Sequence, residues 1–296
     1  MTFLGIHLEE YIVGAETKEK IGVVGVGRMG LALLKHMVNK GYEVTAYDLS
    51  DKAMDAAREA GAKTATSPAA VGKAASFVII GVGYDNEVNE VVLGKDGLLN
   101  AMAPGSIIAV SSTVSPDTVQ ALDEKARAKG IDIMDAPICR GRFWADAGKL
   151  LALVGGKDEV VARGRPIFSC FCSDIAHLGH VGHGQVGKAM NNLLLWINGI
   201  ALIEVGWMAQ STGIDLIKLR DALQMSSGKT QAMEDWDQIS FTWALKDMQI
   251  VSQMADKAGR SFPMTGAVKE LVKDAKKIKA TTAPPWTGRA TPLQYS

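Results

Sequence analysis

Short apolar runs recur through the first half of the chain, each bounded by glycine or polar residues and separated by helix-like stretches. The runs are Ile21–Val24, Glu43–Tyr47, Phe77–Ile80, Ile107–Val110, Asp132–Ala136 and Leu151–Val154. Between them, Leu31–Asn39, Asp51–Ala60 and Pro116–Lys129 read as helices. Ser115 is a candidate N-cap for the last of these, and Pro116 suits a first helical position. Strands alternating with helices predict a parallel sheet covered on both faces, with ligands bound beyond the carboxyl ends of its strands. Gly81-Val82-Gly83 and Ser111-Ser112-Thr113 lie at two such ends. From about Gly184 the alternation stops, and helical spacing takes over in Asp215–Met225, Trp243–Lys257 and Thr265–Ala275. Leu193–Met208 is apolar almost all round, as a helix is when buried in a large core or against a partner subunit. The pattern predicts an α/β domain over residues 1–183 and an all-α domain over 184–296. The tail from Thr281, with Pro284, Pro285 and Pro292, is expected to be extended.

One turn in the first domain carries specific chemistry. Gly25-Val26-Gly27-Arg28-Met29-Gly30 follows the first strand and opens the first helix, and Tyr47-Asp48 ends the next strand. A lone G-x-G-x-x-G is weak, but strand, turn, helix, strand and then an acid together form a dinucleotide-binding pattern of the Rossmann type. Gly25 permits the tight turn, Gly27 lets backbone approach a pyrophosphate, and Gly30 lets helix pack on strand. The helix N-terminus offers unpaired N–H groups to the phosphates. Asp48 can accept from both ribose hydroxyls and repels a 2′-phosphate, so NAD is expected over NADP. Lys52 is the one nearby cation that opposes this. Val82, Gly83 and Thr113 should border the cofactor.

Composition narrows the remaining classes. Lys and Arg number 32 against 32 Asp and Glu, so no global field points to nucleic acid or a membrane surface. Residues 1–19 carry Glu9, Glu10 and Glu16 with no lysine or arginine before Lys18, unlike a signal or transit peptide. Cys139, Cys170 and Cys172 form neither a disulfide framework nor a C-x-x-C motif, and a reducing cytoplasm is expected. His177, His180 and His183 are regularly spaced, but no cysteine or acid completes a metal ligand set, and none is expected.

A second signal falls where the domains meet. Gly182-His183-Gly184-Gln185-Val186-Gly187-Lys188-Ala189-Met190-Asn191-Asn192 passes from glycines into a helix, with Lys188 and Asn192 on one face at i, i+4. A lysine in an enclosed, partly apolar cleft has a depressed pKa and can serve as a general base.

With these segments in hand, the chain resembles the β-hydroxyacid dehydrogenases, which include 3-hydroxyisobutyrate dehydrogenase and, more distantly, 6-phosphogluconate dehydrogenase. The likeness runs from Lys20 to about Pro263. It takes in the glycine turn, Ser111-Ser112-Thr113-Val114-Ser115-Pro116, Asp135-Ala136-Pro137, the G-x-G-x-x-x-K-x-x-N-N run and Lys246-Asp247. The resemblance implies that Lys188 is the acid/base and that Asn192 positions the substrate. It also implies that Thr113 and Lys246 contact the cofactor, and that Asp247 lies at the substrate pocket. A homodimer or homotetramer through the helical domain is expected.

One motif departs from the family. Where relatives follow Asp-x-Pro-Val with Ser-Gly-Gly, this chain reads Ile138-Cys139-Arg140-Gly141-Arg142-Phe143-Trp144. Cys139 replaces the serine, Arg140 the first glycine and Trp144 a further glycine. An arginine can grip a carboxylate with two parallel bonds, and an indole offers a flat wall. Ser112, Cys139, Arg140, Gly141, Trp144, Asn192 and Asp247 are therefore the candidate substrate set, and a bulky or aromatic alcohol enters beside the small hydroxy acids. The competing functions are a non-catalytic dinucleotide-binding scaffold and an imine reductase of the same architecture; Lys188 argues against both.

Overall fold

The computed structural model describes residues 18–288. The expectations made for residues 1–17 and for Pro292 fall outside that range. Six parallel strands are β1 (Ile21–Val24), β2 (Val44–Tyr47), β3 (Lys63–Thr64), β4 (Phe77–Ile80), β5 (Ile107–Val110) and β6 (Asp132–Asp135), and all but the exposed, two-residue β3 follow the apolar runs. Three more extend the sheet: β7 (Ile138–Cys139), β8 (Leu150–Gly155) and β9 (Cys172–Gly179). The order is β3-β2-β1-β4-β5-β6-β8-β7, with β9 beside β8. The helices of this half are α1 (Arg28–Asn39), α2 (Asp51–Glu59), α3 (Pro68–Ala74), α4 (Asp85–Leu93), α5 (Pro116–Arg127), α6 (Gly141–Asp146) and α7 (Asp158–Phe168).

The central strands β1, β4 and β5 are buried throughout because both their faces are covered, and their two-residue period divides the side chains between two cores. Ile21, Val23, Phe77, Ile79, Ile107 and Ala109 enter one core, and Val24, Val78, Ile80, Ile108 and Val110 enter the other. Each fully buried Ile, Val or Phe contributes about 1.5–3 kcal/mol. The sheet is not wholly parallel as expected, because β8 runs antiparallel to both β6 and β7. Strands β6 and β7 share one direction, and the short stretch 140–149 that joins β7 to β8 is less than the roughly dozen residues a parallel crossover takes.

The second half is helical: α8 (His183–Ser211), α9 (Leu216–Gln224), α10 (Gln231–Glu234), α11 (Ala244–Ala258) and α12 (Pro263–Thr281). Asp215 caps α9 by accepting from Ile217 and Lys218 N–H. A third core, of residues such as Trp196, Ile203, Trp236, Met248, Val268 and Trp286, lies among them. Helix α8 belongs to both halves: its first turns pack on β8 and β9, and later ones on α11 and α12. By length and composition α8 could cross a membrane. The expected extended tail is instead folded onto α8. The Trp286 indole is fully buried and donates to the Leu202 carbonyl at 2.9 Å, and the Trp236 indole donates to the Pro284 carbonyl.

Candidate active site

The glycine turn has the geometry its sequence requires. Gly25 sits at φ +92°, and a Cβ there would lie 2.7 Å from the Gly81 carbonyl carbon. A Cβ on Gly30 would meet the Gly25 oxygen at 2.0 Å, so only glycine lets α1 approach so closely. A Cβ on Gly27 would meet nothing within 4 Å. That open space at the start of α1 is where a pyrophosphate would meet the helix N-terminus. Asp48 stands beside the turn: its Oδ2 accepts from Val26 N–H at 2.6 Å and its Oδ1 from Ser50 N–H at 2.9 Å. Each oxygen keeps acceptor capacity for a ribose hydroxyl. Val26 is buried and Met29 half-buried against the core, whereas the Arg28 guanidinium reaches Asp146 on α6. The turn, the helix terminus and Asp48 therefore fit a dinucleotide.

The loops after β4 and β5 are held by the helical half. Lys246, at the start of α11, donates to the carbonyl oxygens of both Gly83 and Thr113. The Tyr84 and Trp243 rings flank its ammonium at 5.4 and 5.6 Å. Burial pushes the Lys246 pKa down, against the attraction of Asp247 and Asp85. On the other side, Gln185 of α8 donates to the Ser112 carbonyl at 2.8 Å and accepts from Val114 N–H at 3.1 Å. Val82 and Gly83 are half-buried beside these contacts.

Helix α8 brings Lys188, Asn192 and Trp196 onto one face at successive four-residue steps. Lys188 Nζ donates to the Ile138 carbonyl at 2.7 Å and lies 3.7 Å from Cys139 Sγ. Asn192 donates to Asp247 Oδ2 at 2.8 Å, and the Trp196 indole donates to the same oxygen at 3.0 Å. Burial raises the Asp247 pKa, while Lys188 and these donors pull it down. Asp135, ending β6, is completely buried; its two oxygens accept from Gly182 and Gln185 N–H, both at 2.7 Å. Burial pushes its pKa up to about 6 despite those bonds.

The altered loop is where the structure parts from expectation. Arg140 does not face Lys188. Its guanidinium pairs with Asp174 at 2.8 Å and donates to Ser173 Oγ and the Lys149 carbonyl, on the β8–β9 side. Trp144 packs edge-on with Phe143 and against the sheet core. Helix α6, which begins at Gly141, packs on α1, where the Ala145 carbonyl meets His36 Nε2 at 2.9 Å. The arginine and indole of this loop are thus committed to structure, which removes the ground for a bulky aromatic substrate. Of that segment, the Ile138 carbonyl and the Cys139 thiol are what reach Lys188. His177 is committed too, its Nε2 lying 2.9 and 3.0 Å from the Gly156 and Gly179 carbonyls.

The residues 20–193 match the model described as the NAD binding domain of 6-phosphogluconate dehydrogenase. Residues 182–283 match the one described as NAD-binding of NADP-dependent 3-hydroxyisobutyrate dehydrogenase. A 3-hydroxyisobutyrate dehydrogenase from Pseudomonas aeruginosa is 34% identical over 213 residues, covering 72% of each chain. The chain belongs to the 3-hydroxyisobutyrate dehydrogenase-like family. Membership makes this family member an oxidoreductase of the NAD(P)-dependent dehydrogenase kind. Solved structures that share its fold include the following two. The Mycobacterium tuberculosis 3-hydroxyisobutyrate dehydrogenase with L-serine has a TM-score of 0.81 at 24% identity, covering 90% of this chain and 96% of that one. An imine reductase variant from Myxococcus stipitatus with NAD+ has a TM-score of 0.66 at 19% identity, covering 88% and 94%.

Sequence reading of this dehydrogenase-like chain missed three residues of the site. Asp135 ends a buried strand, and nothing local in the sequence links it to the distant α8 terminus that it caps. Gln185 lay hidden between glycines. Trp196 continues the 188–192 spacing by one further step.

Proposed function

We propose that this protein oxidises a small β-hydroxy acid with NAD, or reduces the matching aldehyde, and that Lys188 transfers the proton. The observation that carries this reading is the cluster of Lys188, Asn192 and Asp247, set between the cofactor loops and the Ile138-Cys139 edge. Bound NAD would accept the hydride from the carbinol carbon. Lys188 would take the hydroxyl proton in oxidation and return it in reduction. Asp247 holds the Asn192 amide in a fixed orientation, so the second amide hydrogen can position the substrate. The glycine turn and the α1 N-terminus would hold the pyrophosphate, and Asp48 the adenosine ribose. Thr113, Val82, Gly83 and Lys246 would frame the nicotinamide end.

The P. aeruginosa relative acts, by its name, on 3-hydroxyisobutyrate, and the M. tuberculosis structure contains L-serine. With Arg140 and Trp144 directed elsewhere, compact hydroxy acids of this size are the favoured class. Following NADH absorbance with purified protein, NAD and a panel containing 3-hydroxyisobutyrate, L-serine and aromatic alcohols tests this. Turnover of the small acids is expected; turnover confined to the aromatic alcohols, or to imines, would overturn it.

The protein is further proposed to work as a cytoplasmic homo-oligomer. Met190, Leu194, Val205 and Met208 are exposed along one side of α8, with Leu194 at 61% and Met208 at 63%. A second copy would cover that apolar stripe. Sedimentation of the purified protein tests it; a monomer at micromolar concentration would refute it.

A further inference from the structure

We infer that Asp135 and Gln185 act as one positioning pair for hydride transfer, fixing the first turn of α8 to the sheet and to the cofactor loop so that Lys188 and the nicotinamide keep one register. The inference rests on the proposed role of Lys188.

The first N–H groups of an α-helix lack partners within the helix. The N-cap of α8 is Gly182, at φ +97°, which has no side chain to supply one. Asp135 supplies both acceptors from across the fold, one oxygen to Gly182 N–H and the other to Gln185 N–H. The carboxylate is tightly enclosed. A Cβ on Gly155 would lie 2.5 Å from Oδ1, and one on Gly184 would lie 2.8 Å from Oδ2. The acid therefore has one available arrangement.

Gln185 carries the constraint onward. It is 1% exposed, and its amide bridges the Ser112 carbonyl and Val114 N–H, the peptide groups on either side of Thr113. Lys188 sits three residues further along α8, and its Nζ returns to the Ile138 carbonyl, three residues beyond Asp135. The hydrogen bonds thus tie β6, the first turn of α8, the cofactor loop and the Ile138 carbonyl together around the reacting groups. Misplacement of a catalytic group by about 1 Å can cost on the order of 100-fold in rate. A pair that sets this distance affects turnover more than ground-state binding.

Asp135→Asn would turn an amide N–H toward a backbone N–H, and Gln185→Leu would cut the tie to the cofactor loop while preserving volume. Each variant, with the double variant and Lys188→Met, would be assayed with NAD and 3-hydroxyisobutyrate, or with the best acid of the panel. NADH affinity would be read by fluorescence, folding by circular dichroism, and the primary deuterium isotope effect with substrate deuterated at the carbinol carbon. Each single variant should lose at least tenfold in kcat per folded molecule, with KM and NADH Kd within threefold of wild type. The double variant should be no worse than the poorer single one. The isotope effect should reach at least the wild-type value, because chemistry becomes the slow step. A kcat within threefold of wild type in Gln185→Leu would overturn the inference, as would losses that multiply in the double variant. If Asp135→Asn does not fold, the Gln185→Leu result decides alone. Retained turnover in Lys188→Met would instead defeat the proposed role of Lys188, so the two failures are distinguishable.

Discussion

Lys188 Nζ and the Ile138 carbonyl oxygen meet at 2.7 Å, which fixes the side-chain nitrogen at the edge of β7 beside Cys139. A long lysine side chain loses rotamer freedom in such a contact. The proton-transferring group is therefore held in place before substrate arrives. Lys188→Ala should lower kcat by about 10²–10⁴, the range for removal of a general acid or base. NADH binding, followed by fluorescence, should stay within a few-fold of wild type. More than a tenth of wild-type kcat, with chemistry rate-limiting, would sink the assignment.

Asp48 should decide between the two nicotinamide cofactors. Its carboxylate already holds Val26 and Ser50 N–H, so its charge stands beside the glycine turn and opposes a 2′-phosphate. The measurement is kcat/KM with NAD and with NADP. Wild type should prefer NAD at least tenfold, and Asp48→Ser should narrow that ratio mainly by losing NAD efficiency. An initial preference for NADP would refute the argument.

Arg140 is held at φ +85°, a left-handed conformation that costs a non-glycine residue of order 1–3 kcal/mol. Its ion pair with Asp174 is partly exposed, and such pairs contribute about 0–1 kcal/mol. Arg140→Gly removes the strain together with the side-chain bonds, so the melting temperature should change little. KM for a small hydroxy acid should stay within about threefold. A tenfold rise confined to charged substrates would show that the guanidinium swings to the substrate in turnover.

Asp135 should leave a mark on stability as pH changes. Its pKa is pushed up to about 6 by burial, against 3.8 for the free side chain. Between those values the folded protein binds a proton that the unfolded chain has released. Stability from this group therefore falls as pH rises through that window, and at neutral pH the ionised acid costs about 3 kcal/mol. Asp135→Asn does not titrate. Relative to wild type, its stability should improve by roughly 1 kcal/mol between pH 5 and pH 7. Denaturant melts at the two values check this, and a constant difference would contradict it.

The strands around the glycine turn were legible because both their faces are buried, so every residue from Ile21 to Val24 and from Phe77 to Ile80 reports the sheet. The turn and Lys188 were legible because their spacing is itself the chemistry. Strand β9 was not, because its residues alternate irregularly between exposed and half-buried and carry no two-residue signal. That omission explains the error at Arg140. Its partners Ser173 and Asp174 stand on the unrecognised strand, and no local pattern links them to the loop. Trp144 failed for a related reason: an indole beside a catalytic motif reads the same whether it faces ligand or core. The Pro284–Trp286 segment looked like a loose tail because two prolines forbid helix, while the contact that holds it lies far away on α8.

The burial of Trp286 also sets an order of events during synthesis. Every strand of the sheet lies before residue 180, so the cofactor half can close its two cores while later residues are still being added. The helical half cannot. A Cβ on Gly206 would lie 2.3 Å from Pro284, and the Trp286 indole fills the space beside Leu202, so this side of α8 stays bare until residue 286 has left the ribosome. A nascent chain stalled near residue 270 should present a finished nucleotide fold joined to an open apolar helix, the form in which chaperones would meet this protein.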